Sequence, residues 1–283
     1  MQIAILGKPK NLPAAEKAAE LADWLVERGH GVRFDADTAA QVGREGVERE
    51  ALADGADFGV VLGGDGTLLL GARVFSPADV PILGINMGRL GFLSDTGPDG
   101  MYEVMERVLA GDAQTEERLM LSASVHRPDG TIEGPFEAFN DIVVNKGALA
   151  QVVRLETRVD GNFVSSYLAD GLILSTPTGS TAYGLAVGGP IIVPTTEVML
   201  VAPICPHMLT NRPIIVPAGS EVECRLAEAR GDVYLTIDGQ EGFPLFPGDR
   251  IVSRRSPHRA RLMKCASLDF FSILRTKMGW GGA

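Results

Sequence analysis

At 283 residues the chain is long enough for one large domain or two ordinary ones, and 45% hydrophobic with 22% charged residues is an ordinary globular composition. A net charge of −10, from 26 Lys and Arg against 36 Asp and Glu, argues against a nucleic-acid partner, which needs a basic face. The longest apolar runs fall far short of the roughly 20 residues that a membrane-spanning helix requires, so no membrane partner is expected.

The same acidic balance constrains any phosphate ligand. The field of the whole chain repels it, so neutralising charge has to come from backbone dipoles, a few basic residues or a metal ion. The opening MQIAILG enters a strand-like pattern with no basic region and no small-residue cleavage site, so no secretory signal is expected. Cys205, Cys224 and Cys265 are odd in number, widely spaced and without a CxxC, which argues against a disulfide framework or a zinc site and suits a reducing cytoplasm.

In chain order, Gln2–Leu6 reads as a strand, and Pro13–Arg28 as a helix with Ala18, Leu21, Ala22 and Leu25 on one face. Gly29 and Gly31 stop that helix, and Gly31–Phe34 reads as a second strand. After a polar segment, Asp57–Leu62 is a third strand, Leu68–Val74 the start of a helix, Val80–Ile85 a fourth strand and Gly100–Leu109 another helix. Strand–helix alternation of this kind argues for a parallel sheet with helices packed on it.

The pattern changes near Arg118. Strands are expected at Leu121–His126, Phe139–Val144, Val153–Val159, Asn162–Leu168, Gly171–Ser175, Glu221–Leu226, Val233–Ile237 and Arg250–Val252, with turns at Asp129-Gly130, Asp160-Gly161 and Asp238-Gly239. Ser267–Lys277 reads as a helix returning to the first domain. The expected fold is an α/β N-terminal domain with a Rossmann-like parallel sheet, residues 1–117 plus 266–283, and a mainly β, sandwich-like C-terminal domain, residues 118–265.

Two stretches stand out for chemistry. In Val60–Ala72, the run Gly63-Gly64-Asp65-Gly66-Thr67 lies between a strand and a helix, where glycines let a ligand reach the backbone and a helix N-terminus offers N–H groups to an anion. It is neither a P-loop nor the usual GxGxxG fingerprint. One reading is a tight turn with Asp65 as helix cap; the other makes the carboxylate a base or acceptor for a hydroxyl, or a partner for Mg²⁺. The second stretch, Asp170 to Tyr183, carries five hydroxyl side chains between Ser175 and Thr181, with Pro177 and Gly179 setting the turn. Such groups suit ribose, adenine and phosphate, and Ser180 or Thr181 can cap a short helix ending at Gly188-Gly189-Pro190; a Ser/Thr-rich hairpin loop is the alternative.

Other candidates are weaker alone. Asn140-Asp141 at a strand start often marks local backbone bonding, and Asp238-Gly239-Gln240 reads as a hairpin turn. His207 has no second His or carboxylate at metal-ligand spacing, and no GxSxG elbow appears.

Together, GGDGT at 63–67, FND at 139–141, DGLILSTPTGSTAY at 170–183, GGP at 188–190, PICPHMLTNRP at 203–213, DGQ at 238–240 and the final LRTKMGWG closely resemble the NAD kinases, in order and over nearly the whole length. GGDGT alone is shared with diacylglycerol kinases, sphingosine kinases and 6-phosphofructokinases; TPTGSTAY with Asn140-Asp141 is highly specific. The resemblance implies phosphorylation of the 2′-hydroxyl of the adenosine ribose of NAD, giving NADP, with ATP or polyphosphate as donor and a divalent metal, Mg or Mn. It makes Asp65 the proton acceptor and Gly66 its neighbour in that contact. Asn140 and Asp141 bind adenine and ribose, with Asp where the family more often has Glu. Thr178 contacts adenine, and Thr181, Ala182, Tyr183, Gly184, Leu185 and Ala186 line the dinucleotide. Asp170 comes across a subunit interface in a homo-oligomer, dimer or tetramer, and Cys205, His207 and Gln240 fall in or near the pocket. Leu168 stands where the family often has a basic residue. No dedicated protein ligand set for the metal is expected, and the location is expected to be cytoplasmic. The alternatives are a lipid kinase sharing the GGDGT loop and a non-catalytic NAD(H)-binding sensor.

Overall fold

A computed structural model describes residues 1–88, 91–94, 96–148, 151–264 and 269–280. Two compact units result: Met1–Glu117 with Arg259–Ala283, and Arg118–His258.

In the first unit, β1 (Gln2–Gly7) is buried from Ile3 onward and is followed by α1 (Leu12–Glu27). The Asn11 side chain caps α1 by accepting the Ala14 N–H at 3.1 Å, and Pro13 sits in the first turn, where its missing N–H costs nothing. Ala14, Ala18, Leu21, Ala22 and Leu25 recur at helical spacing and are buried, the last four with Ile3 and Ile5 in one apolar cluster. There follow β2 (Gly31–Phe34), α2 (Ala36–Gln41), α3 (Arg49–Leu52), β3 (Phe58–Gly63), α4 (Asp65–Phe75), β4 (Ile82–Asn86) and α5 (Met101–Leu109). The strands pair in parallel in the order β2-β1-β3-β4, with Gln2 opposite Gly31, Ile3 opposite Phe58 and Gly59 opposite Ile82. This is the parallel sheet that the strand–helix alternation implies.

The second unit is antiparallel. Its strands are β5 (Gln114–His126, entering from the first unit), β6 (Ile132–Ala138), β7 (Asp141–Lys146), β8 (Val153–Val159), β9 (Asn162–Ala169) and β10 (Gly171–Ser175). After the short helix α6 (Tyr183–Ala186) come β11 (Val198–Ile204), β12 (Ile214–Pro217), β13 (Val222–Glu228), β14 (Val233–Ile237), β15 (Glu241–Leu245) and β16 (Arg250–Lys264). One six-stranded sheet has the order β12-β11-β10-β7-β14-β15. Its residues alternate between two clusters, as a period of two demands. Ile142, Val144, Leu172, Leu174, Met199 and Val201 join Leu155, Leu226 and Ile251 from the β16-β13-β8-β9 ladder, while Val143, Ile173, Leu200 and Ala202 pack on the other face with Ile192. That shared interior makes the unit a sandwich.

The last residues of β16 belong to the first unit, where Leu262 pairs in parallel with Ile82. α7 (Phe270–Met278) follows, capped by the Asp269 side chain on the Ser272 N–H at 3.0 Å and ended by Gly279 at φ 66°. Ser267 and Leu268 of the expected last helix, and Cys265, lie outside the described residues.

Some expectations need correction. β16 extends to Lys264 rather than Val252, because an Arg-rich stretch containing Pro257 hides its alternation. Its cations pair with Glu223, Glu221, Glu197, Glu117 and Asp79 on the exposed side, while Ser253, Ser256, Ala260 and Leu262 turn inward. Four strands were not anticipated. β6 and β15 contain prolines, β12 is short, and β11 is apolar throughout and buried on both faces, so it shows no alternation. α4 begins at Asp65 instead of Leu68, since the Gly64 carbonyl already takes the Thr67 and Leu68 N–H groups before the apolar periodicity starts.

Candidate active site

In the first unit, β3 delivers the chain into Gly63-Gly64-Asp65-Gly66-Thr67. A side chain on Gly63 would collide with Thr67, whereas one on Gly64 would meet nothing within 4 Å, so the loop is open on the Gly64 side. Gly64, not Asp65, is the N-cap of α4, which overturns the helix-cap reading of the carboxylate. Asp65 is the first helical residue, where a negative charge is favoured by the helix dipole. Its half-buried carboxylate reaches the segment after β4 and accepts the amide N–H groups of Phe92 at 2.9 Å and Leu93 at 3.2 Å. A Cβ on Gly91 would fall on that carboxylate, so the close approach depends on glycine.

In the second unit, sheet register gathers three segments. Asp141 at the head of β7 lies opposite Ser175 at the end of β10, and Ile142 lies opposite Ile237 at the end of β14, just before Asp238. Residues 139–141, 175–181 and 238–240 therefore share one end of the sheet. The buried Asp238 carboxylate accepts the N–H groups of Phe139, Asn140 and Asp141 at 2.7 to 3.1 Å. The Asn140 carbonyl accepts the Thr176 N–H at 2.9 Å and the Ser175 hydroxyl at 3.2 Å, and Gly179 packs so closely on it that a Cβ has no room. Asn140 is thus held through its backbone, with its side chain partly exposed.

Asp141 is different. It is 5% exposed, and among the described residues no hydrogen bond reaches its carboxylate. Burial first, and the neighbouring Asp238 second, push it from 3.8 to about 7. An acid so placed changes protonation state near neutrality, and its oxygens are available to ligand hydroxyls.

The hydroxyl-rich stretch divides into two kinds of residue. Ser175, Thr176 and Ser180 are fully buried and spend their hydroxyls on the protein: Thr176 donates to the Phe139 carbonyl at 2.7 Å and accepts the Gly179 N–H at 3.0 Å, while Ser180 donates to the Pro177 carbonyl at 2.7 Å and accepts the Ile192 N–H at 2.9 Å. These hydroxyls build the loop and are not presented to a ligand, a correction to reading all five alike. Thr178 accepts the Arg118 guanidinium at 3.3 Å, and Thr181 bonds the Thr178 carbonyl at 3.3 Å. α6 starts from Ala182 with no side-chain cap, so neither Ser180 nor Thr181 caps it.

Beyond the turn, Ala182, Tyr183 and Ala186 are exposed, Leu185 is intermediate and Gly184 is buried. Burial raises the Tyr183 phenol, with smaller electrostatic contributions from Cys205, Asp170 and Asp141. Asp170 and Cys205 flank the far end of β10, where Gly171 lies opposite Ile204. Lys146 pairs with Asp170 at 3.5 Å, His207 donates its amide N–H to the Leu168 carbonyl at 2.9 Å, and the exposed Gln240 closes the hairpin by donating its amide to Ile237. Cys205 and Cys224 are free thiols, the latter buried with its thiol pushed up to about 12.

Sequence reasoning missed three contributors: Arg118, 4% exposed beside Thr178; Thr176 as the tie between Phe139 and Gly179; and Gly91 with the Phe92 and Leu93 amides on Asp65. The glycines at 88 and 91 were the available signal for the last. Among the described residues, no group of three or more His, Cys, Asp or Glu is placed to hold a metal ion, and no helix is long and apolar enough to cross a membrane.

Comparison with known proteins covers both units. Residues 3–113 match the ATP-NAD kinase N-terminal domain and residues 139–265 the ATP-NAD kinase C-terminal domain. The chain is 47% identical over 280 residues to the NAD kinase of Geobacter metallireducens and 46% identical over 281 residues to that of Geobacter sulfurreducens, covering 99% of each chain in both cases. Its fold matches yeast NADH kinase complexed with NADH at a TM-score of 0.91 and 27% identity, over 100% of this chain and 89% of the other. It also matches an NAD kinase from Archaeoglobus fulgidus in complex with ATP, at a TM-score of 0.75 and 26% identity over 99% and 98% of the two chains. Nothing in these similarities supports a lipid kinase or a non-catalytic sensor. Two domain matches in order and full-length relatives show that the chain belongs to the NAD kinase family.

Proposed function

We propose that this chain transfers the terminal phosphoryl group of ATP, or of polyphosphate, to the 2′-hydroxyl of the adenosine ribose of NAD. The products are NADP and ADP, or a polyphosphate one unit shorter. Asp65 is the proton acceptor: each carboxylate oxygen takes one backbone amide and keeps lone-pair capacity for the ribose hydroxyl. The N-terminus of α4 favours charge on the transferring group, and Gly64 leaves room for it. Gly66 completes the contact to the hydroxyl.

On the NAD side, Asn140 and Asp141 take adenine and ribose, Thr178 contacts adenine, and Thr181 to Ala186 line the dinucleotide with Cys205 and Gln240. Asp170 serves the nicotinamide end of a neighbouring protomer in a dimer or tetramer. Mg or Mn, bound to the polyphosphate as part of the donor, would screen its charge. The setting is the cytoplasm, consistent with an exposed free Cys205.

The sheet register that brings residues 139–141, 175–181 and 238–240 to one end of the sheet supports this reading most strongly, since three motifs matched separately by sequence occupy one neighbourhood. The test is direct: purified protein with Mg-ATP and NAD, NADP being read by an NADP-specific dehydrogenase, and diacylglycerol as a control acceptor. NADP formation with an inert lipid control is expected; absence of NADP across donors and metals overturns the reading.

A further inference from the structure

We propose that Asp238 is a positioning residue for NAD recognition: one buried carboxylate accepts three consecutive amides, Phe139, Asn140 and Asp141, and so fixes the backbone that presents the Asn140 and Asp141 side chains. The inference rests on the proposed contact of Asn140 and Asp141 with NAD.

Asp238 and Gly239 occupy the middle of a turn with φ 52° and 63°, closed by the Gln240 N–H on the Ile237 carbonyl at 2.9 Å. Two left-handed residues make this a type I′ turn, where Asp is tolerated and folds its carboxylate back over the chain. The Asp238 amide donates to the Asp141 carbonyl at 2.9 Å, so hairpin and strand start bind each other reciprocally. With the Asn140 carbonyl taken by Thr176 and Ser175, both backbone groups of Asn140 are occupied. Neither the Asn140 side-chain amide nor the Asp141 carboxylate has a hydrogen bond within the described residues. The backbone is spent on holding and the side chains are left for a ligand. A carboxylate gathering three amides is a charge-assisted clamp, stronger than neutral acceptors would be.

The test uses full-length protein and the steady-state NADP assay on wild type, Asp238→Asn and Ile251→Val. Asn keeps the shape and tolerates the left-handed conformation, but it removes the negative charge from the oxygen that gathers the three amides, and its –NH₂ cannot take the Phe139 amide that the second carboxylate oxygen accepts. Ile251→Val in the same unit's core is the stability control. For Asp238→Asn, KM for NAD rises at least tenfold, while kcat at saturating NAD and KM for ATP stay within threefold. Amide exchange at Phe139, Asn140 and Asp141 quickens. Ile251→Val leaves both KM values unchanged. If Asp238→Asn is too unstable to assay, Asp238→Glu, which keeps the charge but displaces it by a methylene, should show the same split. Unchanged KM for NAD, or equal losses against both substrates, overturns the positioning role. A wild-type protein that makes no NADP overturns instead the reading on which it rests.

Discussion

The Asp65 carboxylate accepts the Phe92 N–H at 2.9 Å, so the proposed proton acceptor is aimed by a segment 27 residues further along the chain. Gly91 makes that contact possible, because any Cβ there occupies the place of the Asp65 carboxylate. Gly91→Ala is therefore expected to swing Asp65 off the two amides and lower kcat at least tenfold. The variant should stay folded, with a stability change of about 1–2 kcal/mol by chemical denaturation, since Asp65 is a movable side chain. Full activity would show that the amide contacts do not set its orientation.

Asp141 predicts a pH dependence. Its carboxyl is raised from 3.8 to about 7, so the folded state holds a proton that the unfolded chain releases. The stability it contributes is fully present below about pH 4 and is lost as pH rises through about 7, a cost on the order of 4 kcal/mol. Urea denaturation at pH 5 and pH 8 should show Asp141→Asn losing less stability over that interval than the wild type. The titratable groups that interact electrostatically with Asp141 are Asp238 across the hairpin and, more weakly, Tyr183. If the ionised form accepts the ribose hydroxyls, KM for NAD falls as pH rises through 7, and Asp141→Asn flattens that profile. Parallel profiles in the two proteins would contradict it.

Thr176 and Thr181 stand five residues apart in sequence but differ in role. Thr176→Val leaves the Phe139 carbonyl and the Gly179 N–H unpaired in a buried site and should cost about 1–3 kcal/mol in stability. Thr181→Val gives up one long bond in a part-exposed turn, so its expected cost is below about 1 kcal/mol, with its effect on KM for NAD instead. Thermal denaturation and NAD titration of both variants separate the roles; equal destabilisation would remove the distinction.

These contrasts show what the sequence could and could not reveal. Ala18, Leu21, Ala22 and Leu25 announce a helix face because helical spacing repeats along the chain, and the strand at Gly31–Phe34 is bounded by its own glycine. β11 and β16 were less visible, since one is apolar on both faces and the other hides a buried face among paired arginines. At the site, Asp65, Asn140 and Asp141 stood out by residue type and motif. Their supports did not: Phe92 acts through its backbone, which no side-chain pattern marks, and Asp238 acts on a segment 97 to 99 residues away. The five hydroxyls looked equivalent in sequence because burial, which separates Thr176 from Thr181, is a property of the fold.

The central claim is that Asp65 takes the proton of the ribose hydroxyl, and Asp65→Asn tests it most directly. Asn preserves size and one acceptor oxygen but cannot accept a proton at neutral pH. NAD affinity by calorimetry is expected to stay within a few fold of the wild type, while turnover in the NADP assay falls by about 10² or more. Turnover within threefold of the wild type, or a loss matched by an equal loss of NAD affinity, would contradict the account.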